Sequence, residues 1–220
     1  MKFEPFGDDH GRATLAHLLT TEMAPLVLHT TGNLALPTFD GRISGNGGLI
    51  KEADGVQALT GDSDFTGTVQ VWKGALAIDR NQALGNAANA VSLEAGSALI
   101  ASRSLTLARD LLLKNGGALG AGAEVALLAD GVISGNGGLT KTGAGQLTLA
   151  GLNTYTGGTR IAEGVLAVAA DAGLGQDYGA LRFAAGTGLL VTGSFATQRP
   201  FQLDGETHLS IRAGASLTVN

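Results

Sequence analysis

The chain has 220 residues, 19 acidic against 14 basic side chains and a net charge of −5, so it carries no basic field with which to hold nucleic acid or anionic lipid. Cysteine is absent, which excludes thiol chemistry, thiolate metal sites and a disulfide scaffold. A 44% hydrophobic fraction against 15% charged residues excludes a disordered chain, and 35 glycines without a three-residue period exclude collagen.

The N-terminal stretch "MKFEPFGDDHGR" has acids where a secretion signal needs an uncharged apolar core. Asp8, Asp9 and His10 resemble a metal or acid–base cluster, but adjacent residues rarely converge on one ion, and the reading favoured is a solvated turn. Over residues 11–24, Leu15, Leu18 and Leu19 fall at i, i+3 and i+4, which fits a short helix as well as the irregular first coil of a cap. His17 and His29 lie in apolar surroundings and read as packing or surface histidines. Residues 1–39 precede the repeated part of the chain and read as an N-terminal segment, a cap or a linker.

From residue 43 the chain reads "ISGNGGLIKEADGVQALTGDSDFTGTVQVWKGALAI", and from residue 133 "ISGNGGLTKTGAGQLTLAGLNTYTGGTRIAEGVLAV". The two align without a gap, about 90 residues apart, and the match runs on: Lys51 on Lys141, Gly55 on Gly145, Leu84-Gly85 on Leu174-Gly175, Leu99 on Leu189. This defines two copies, 43–132 and 133–220. Within each copy the apolar period is two, as at Leu147 and Leu149, Leu181 and Phe183, Leu209 and Ile211, or Leu217 and Val219, with breaks at glycine-rich turns. The glycines that recur at matching turns are Gly45, Gly47, Gly48, Gly61, Gly67 and Gly74 in the first copy. In the second they are Gly135, Gly137, Gly138, Gly151, Gly157, Gly158 and Gly164. These are the expected repeat-defining structural positions, and Asn46, Asn136 and Asn153 are expected in polar ladders or left-handed turns.

Short strands and a long repeat fit either a sandwich or a solenoid. Small aliphatic inward positions, glycine at equivalent corners and a 5% aromatic content favour the solenoid. The fold class is therefore all-β, a right-handed parallel β-helix. At roughly 20–25 residues per rung, one copy makes about four rungs. The whole chain makes a rod about 45–50 Å long. The chain stops at "GASLTVN", inside what reads as a strand, so it is expected to be a piece of a longer protein.

Catalytic features are not found in the pattern. No serine stands in a G-x-S-x-G elbow, and "GNGGL" is followed by a strand instead of the helix and Lys-Ser/Thr of a phosphate loop. Asp79, Arg80, Arg103, Arg109 and Asp110 read as scattered charges, not the walls of a polysaccharide-cleaving groove. Trp72, at the position of Ala162, reads as outward-facing, either in a contact patch or covering a loop, and His208 as outward-facing on a strand. No catalytic, cofactor or metal residue is assigned. The longest apolar runs are too short to span a bilayer, so the chain is not expected to insert into a membrane.

The phrase "ISGxGGLxKxGxGxLxLxGxNxYTGGTxIxxGxLxV", nearly complete at 133–168 and degenerate at 43–78, resembles the autotransporter-associated β-strand repeat, also called the passenger-associated transport repeat. In the first copy Thr68 replaces the second glycine of TGG. The resemblance covers about residues 40–220. It implies a non-enzymatic β-helical stalk or passenger, exported across the outer membrane of a Gram-negative bacterium to the cell surface or beyond. Its partners would be a C-terminal translocator barrel, not in this chain, and a host-surface or matrix ligand in an adhesive role. The alternative it implies is the spine of a subtilisin-like protease or an esterase whose catalytic domain lies outside this sequence.

Overall fold

A computed structural model of the chain describes residues 24–31 and 37–220 in full, with the backbone of 2–3 and 19–21. Every strand pairing in it is parallel, and the chain winds through about nine turns. The β-helix expected from the sequence is what forms. Three sides are visited in rotation. Val91–Glu94 lies on the first, Ala98–Ala101 on the second and Leu105–Leu107 on the third, before Leu111–Lys114 returns to the first.

Among the described residues, the continuous sheet on the first side has seven strands, from Lys2–Phe3 to Ile133–Gly135; that on the second has nine, from Thr38–Phe39 to Phe201–Leu203; and that on the third has six, from Leu105–Leu107 to His208–Ile211. Two short pairs complete the prism: Leu19–Thr21 with Ile43–Gly45, and Phe195–Thr197 with Leu217–Val219. Of the residues with equal propensity for helix or coil, 11–18 lie outside the described residues, as do Asp8, Asp9, His10 and His17. Leu19–Thr21 form a strand, so the helical reading fails there: pairing with Ile43–Gly45 decides the backbone in place of the i, i+4 leucine pattern.

Period-two alternation gives each strand one inward row, and the stack converts rows into columns. On the first side Leu26, Leu49, Val69, Val91, Leu111 and Ile133 are consecutive register partners and all are buried. On the third side Leu127, Leu147, Leu166 and Leu189 do the same. Each such side chain contributes about 1.5–3 kcal/mol by leaving water, and it does so only if the turns above and below exist. The last turn shows the dependence: Leu209, the register partner of buried Leu189, is 53% exposed.

The turn length reveals a feature that the sequence alignment hides. Register partners lie 19–25 residues apart, 19 from Leu59 to Ile78, 23 from Ile78 to Ala101 and 25 from Lys2 to Val27. Between Ile43 and Ile133 the chain covers thirteen sides, four and one-third turns, in keeping with the about four expected but with one side left over. Equivalent strands consequently sit one side apart. Leu49–Glu52 is on the first side and Leu139–Thr142 on the second; Val56–Leu59 is on the second and Gln146–Leu149 on the third. Local geometry repeats while orientation turns by one side of the prism.

Candidate functional site: the stacked corners of the repeat

The corners hold the groups that composition had made to look silent. Lys51 and Lys141 stand in otherwise aliphatic columns, between Leu28 and Val71 and between Leu119 and Ile161. Both are fully buried. Each runs its stem through the core and delivers its ammonium to a corner. Lys51 Nζ donates to Glu52 O (2.7 Å), Ala53 O (2.7 Å) and Lys73 O (3.3 Å). Lys141 Nζ donates to Thr142 O (2.9 Å), Glu163 O (3.0 Å) and Gly143 O. One lysine thereby ties two successive turns together, using all three of its protons. Burial pulls both ammonium groups down to about 8, against partial support from Asp54 and Glu52 at Lys51 and from Glu163 at Lys141.

Arg109 and Arg199 are a second pair in the same phase, 3% and 2% exposed. Each lies beneath a 3₁₀ turn, Asn81–Leu84 or Asp171–Leu174, that takes the place of a strand. The Arg109 fork donates to Asn81 Oδ1 (2.9 Å) and to the carbonyls of Asn81 (2.7 Å), Gly85 (2.8 Å), Asn86 and Asn89 (3.3 Å). Arg199 holds Asp171 Oδ1 (2.8 Å) and Oδ2 (3.1 Å), with the carbonyls of Leu174 (3.1 Å), Gly175 (2.7 Å) and Gly179 (3.2 Å) among others. An irregular segment with orphaned carbonyls is thus satisfied by a planar five-donor group. Burial lowers Arg109 to about 10, so it stays charged. Arg109, read from the sequence only as one of several scattered charges, is buried and has a defined structural role; an arginine recurring at 109 and 199 was the available signal.

Glycine is required where turns touch. A Cβ on Gly157 would stand 2.3 Å from the backbone nitrogen of Gly138, and one on Gly67 would stand 2.3 Å from that of Gly48. Gly74 and Gly164 share φ +65° and would press a Cβ to within 2.3 and 2.5 Å of the carbonyls of Gly55 and Gly145. The others sit at the same turns. Gly45, Gly47 and Gly48 and their equivalents Gly135, Gly137 and Gly138 follow Ile43 and Ile133; Gly61 and Gly151 follow Val56–Leu59 and Gln146–Leu149; Gly158 adjoins Gly157.

The remaining residues singled out from sequence fall as follows. Asn136 forms a two-step ladder, accepting from Asn115 N–H (2.9 Å) and donating to Asn115 Oδ1 (3.0 Å). Asn153 accepts from Ile133 N–H (2.8 Å) and donates to Gly173 O (2.7 Å). Asn46 lies at the corner after Ile43–Gly45. His29 sits half-buried with Nδ1 2.8 Å from Glu52 Oε1, and His208 is exposed. Trp72 faces outward, 44% exposed, its Nε1 donating to Gln70 (3.2 Å). Tyr155, fully buried, pairs its hydroxyl with Thr159 Oγ1 at 2.6 Å; the first copy has Phe65 and Val69 there, both buried. Burial raises the Tyr155 hydroxyl well above its ordinary value. Among the described residues, no group of three or more His, Asp or Glu side chains gathers to hold a metal ion, and no helix is long and apolar enough to cross a membrane.

Comparison with known proteins finds sequence similarity over the same stretches. A family profile described as passenger-associated-transport-repeat matches residues 49–78 and 139–168, the stretches that carry the lysine cages. The adhesin BmaC autotransporter of Brucella suis biovar 1 (strain 1330) is 36% identical over 140 residues, 63% of this chain and 4% of the relative. An extracellular serine protease of Serratia marcescens is 67% identical over 36 residues, 16% of this chain and 3% of the relative. The chain thus spans only a few per cent of the length of these relatives. No solved structure matches it significantly. The chain thus carries two copies of the passenger-associated transport repeat, stacked one side apart in one parallel β-helix, and through them it is similar to the autotransporter passengers it matches.

Proposed function

We propose that the chain is a non-enzymatic β-helical stalk segment of an autotransporter, displayed at or released from the surface of a Gram-negative bacterium, with an adhesive role for its outer faces. Its partners in that setting are a C-terminal translocator barrel supplied by the remainder of the protein and a host-surface or matrix ligand. The observation that carries this reading is the use made of the buried polar side chains. Lys51 and Lys141 spend their donors on backbone carbonyls of the stack, and Arg109 and Arg199 divide theirs between such carbonyls and the side chains of Asn81 and Asp171. A chain whose core cations serve turn-to-turn stacking can fold one turn at a time as it emerges, each completed turn templating the next. The thirteen corner glycines define the repeat in this reading, and 40–220, with copies 43–132 and 133–220, is the repeat region on which 1–39 is set as the cap or linker.

The experiment places the chain between a secretion signal and an autotransporter barrel in a Gram-negative host, then treats intact cells with protease. Outside exposure of a folded, protease-resistant chain is the expected result, and retention in the periplasm contradicts the reading. The purified chain is expected to be inert toward peptide and ester substrates; turnover there would overturn the non-enzymatic part. A second reading, the spine of a secreted protease, is favoured by the 67% match to the Serratia marcescens enzyme. It places catalysis outside these residues and predicts the same inert chain attached to an active remainder.

A further inference from the structure

A groove of about 830 Å³ runs along the corner between the first and second sides, from the turn at Ala95 to the turn at Tyr178. It crosses five successive turns, which at about 4.8 Å per turn makes it roughly 19 Å long. The chain as a whole carries a net charge of −5, yet no acidic residue lines this groove, and Arg160 and Arg182 do. These two arginines are direct register partners on adjacent strands, both outward and exposed. Like charges placed directly opposite each other destabilise a sheet. Arg160 has one partner, Asp204 at 3.5 Å, in an exposed pair of little worth, and nothing among the described residues pairs with Arg182. Tyr178, 66% exposed, stands at the end of the groove.

The fold does not demand these three residues. At the equivalent places of the first copy, one side round, stand Gln70, Ser92 and Ala88, on a backbone with the same turns. The inward rows stay close in size between copies, with Phe65/Tyr155 and Val69/Thr159 the same shapes, while this outward set has changed to two cations and an aromatic ring. That pattern is what a ligand site added to a repeating scaffold leaves behind.

The groove also restricts the kind of ligand. It runs along the stacking axis, so the strands on either side spend their N–H and C=O groups on the turns above and below. An extended peptide would find no free strand edge to pair with. What faces the groove is an aromatic ring, the hydroxyls of Thr140 and Thr156 and two guanidinium groups, set over a floor of glycine. Aromatic faces and hydroxyl groups suit sugar rings, and arginine forks suit carboxylate or sulfate.

We propose that this corner groove binds a strand of acidic polysaccharide, with Arg160 and Arg182 meeting its carboxylate or sulfate groups and Tyr178 lying against a sugar ring. The proposal deepens the reading of the chain as an exposed passenger surface and rests on it for its setting, while the binding itself is a property of the purified chain.

The test titrates the purified chain at physiological salt with fluorescein-labelled heparin and with polygalacturonate, using dextran as the neutral control and poly-glutamate as the peptide control. Binding to one or both acidic polysaccharides and to neither control is expected. The Arg160→Gln/Arg182→Gln variant is expected to weaken binding by about tenfold or more, and Tyr178→Ala to weaken it severalfold, both with unchanged thermal unfolding. Arg103→Gln, at an exposed position away from the groove, is expected to bind as the parent does. No binding to either polysaccharide, equal binding to poly-glutamate, or equal losses in the Arg103 and groove variants would each overturn the proposal. A chain that binds but fails to reach the cell surface would defeat the passenger reading alone; a displayed chain that does not bind would defeat this proposal alone.

Discussion

At the residue scale the two copies act as natural variants of each other. Phe65 with Val69 and Tyr155 with Thr159 occupy one buried site in two chemistries, and the hydroxyl pair at 2.6 Å exists only where both hydroxyls do. Tyr155→Phe and Thr159→Val should each cost about 1–2 kcal/mol, because each strands a buried hydroxyl or leaves a gap. The double variant, which rebuilds the first-copy pair, should cost less than the two singles added together. Denaturant melts of the four proteins measure this, and strict additivity would contradict it. The buried lysines give a pH signature. Lys51 and Lys141 titrate near 8 when folded and near 10.5 when unfolded, so the unfolded chain holds more protons across that window. Stability from this source therefore rises as pH climbs from about 8 to about 10.5. The melting temperature of the parent should gain on that of Lys141→Met through this range, and a constant gap between them would refute the assignment. Period two revealed which side chains point inward, but it put Lys51 and Lys141 merely among matched positions: alternation identifies a side, whereas the three carbonyls that make a buried ammonium tolerable come from the next turn.

At the element scale two departures from regular stacking are the 3₁₀ turns Asn81–Leu84 and Asp171–Leu174, each held by an arginine from a later turn. Arg199→Leu leaves several buried carbonyls and the Asp171 carboxylate without their donor, and should cost about 3–5 kcal/mol. Arg199→Lys should recover little, since a single ammonium cannot reach the spread of acceptors that the planar fork does. Limited proteolysis should then cut first within 171–180 in both variants; resistance equal to the parent would show that the loop is held by something else. The strands were legible because alternation and glycine punctuate them. The loops were not, because their partner lies 28 residues away in sequence, as Arg199 does from Asp171, and no local pattern points to it.

At the scale of the whole molecule, the repeat length in the sequence and the turn length in space do not divide evenly. Nothing in a one-dimensional alignment reveals this, since the copies match without a gap whichever side they face. Its consequence is that corresponding outer surfaces look in directions one side apart, so the Trp72 face and the Arg160 face do not lie above one another. Because residue 133 repeats the local conformation of residue 43, deleting residues 43–132 should leave a shorter chain that folds cooperatively, its upper part turned by one side. Deleting 43–122 should break the register and lose the cooperative melt, as followed by far-UV circular dichroism. The legibility of the fold at this scale came from composition: small aliphatic walls and recurrent glycine favour a solenoid over a sandwich, and the absence of cysteine leaves stacking as the source of cohesion. That absence also makes the most direct measurement clean. Paired cysteines at Ala98 and Ala118, and separately at Ala118 and Thr140, join register partners on adjacent turns, within the Cα separation of about 4.4–6.8 Å that a disulfide spans. A pair at Ala98 and Thr140 skips a turn and lies beyond it. Oxidation should close the first two bridges rapidly and leave the third open. Failure of both adjacent-turn bridges, or closure of the third as readily as theirs, would contradict a chain built by parallel stacking of turn upon turn.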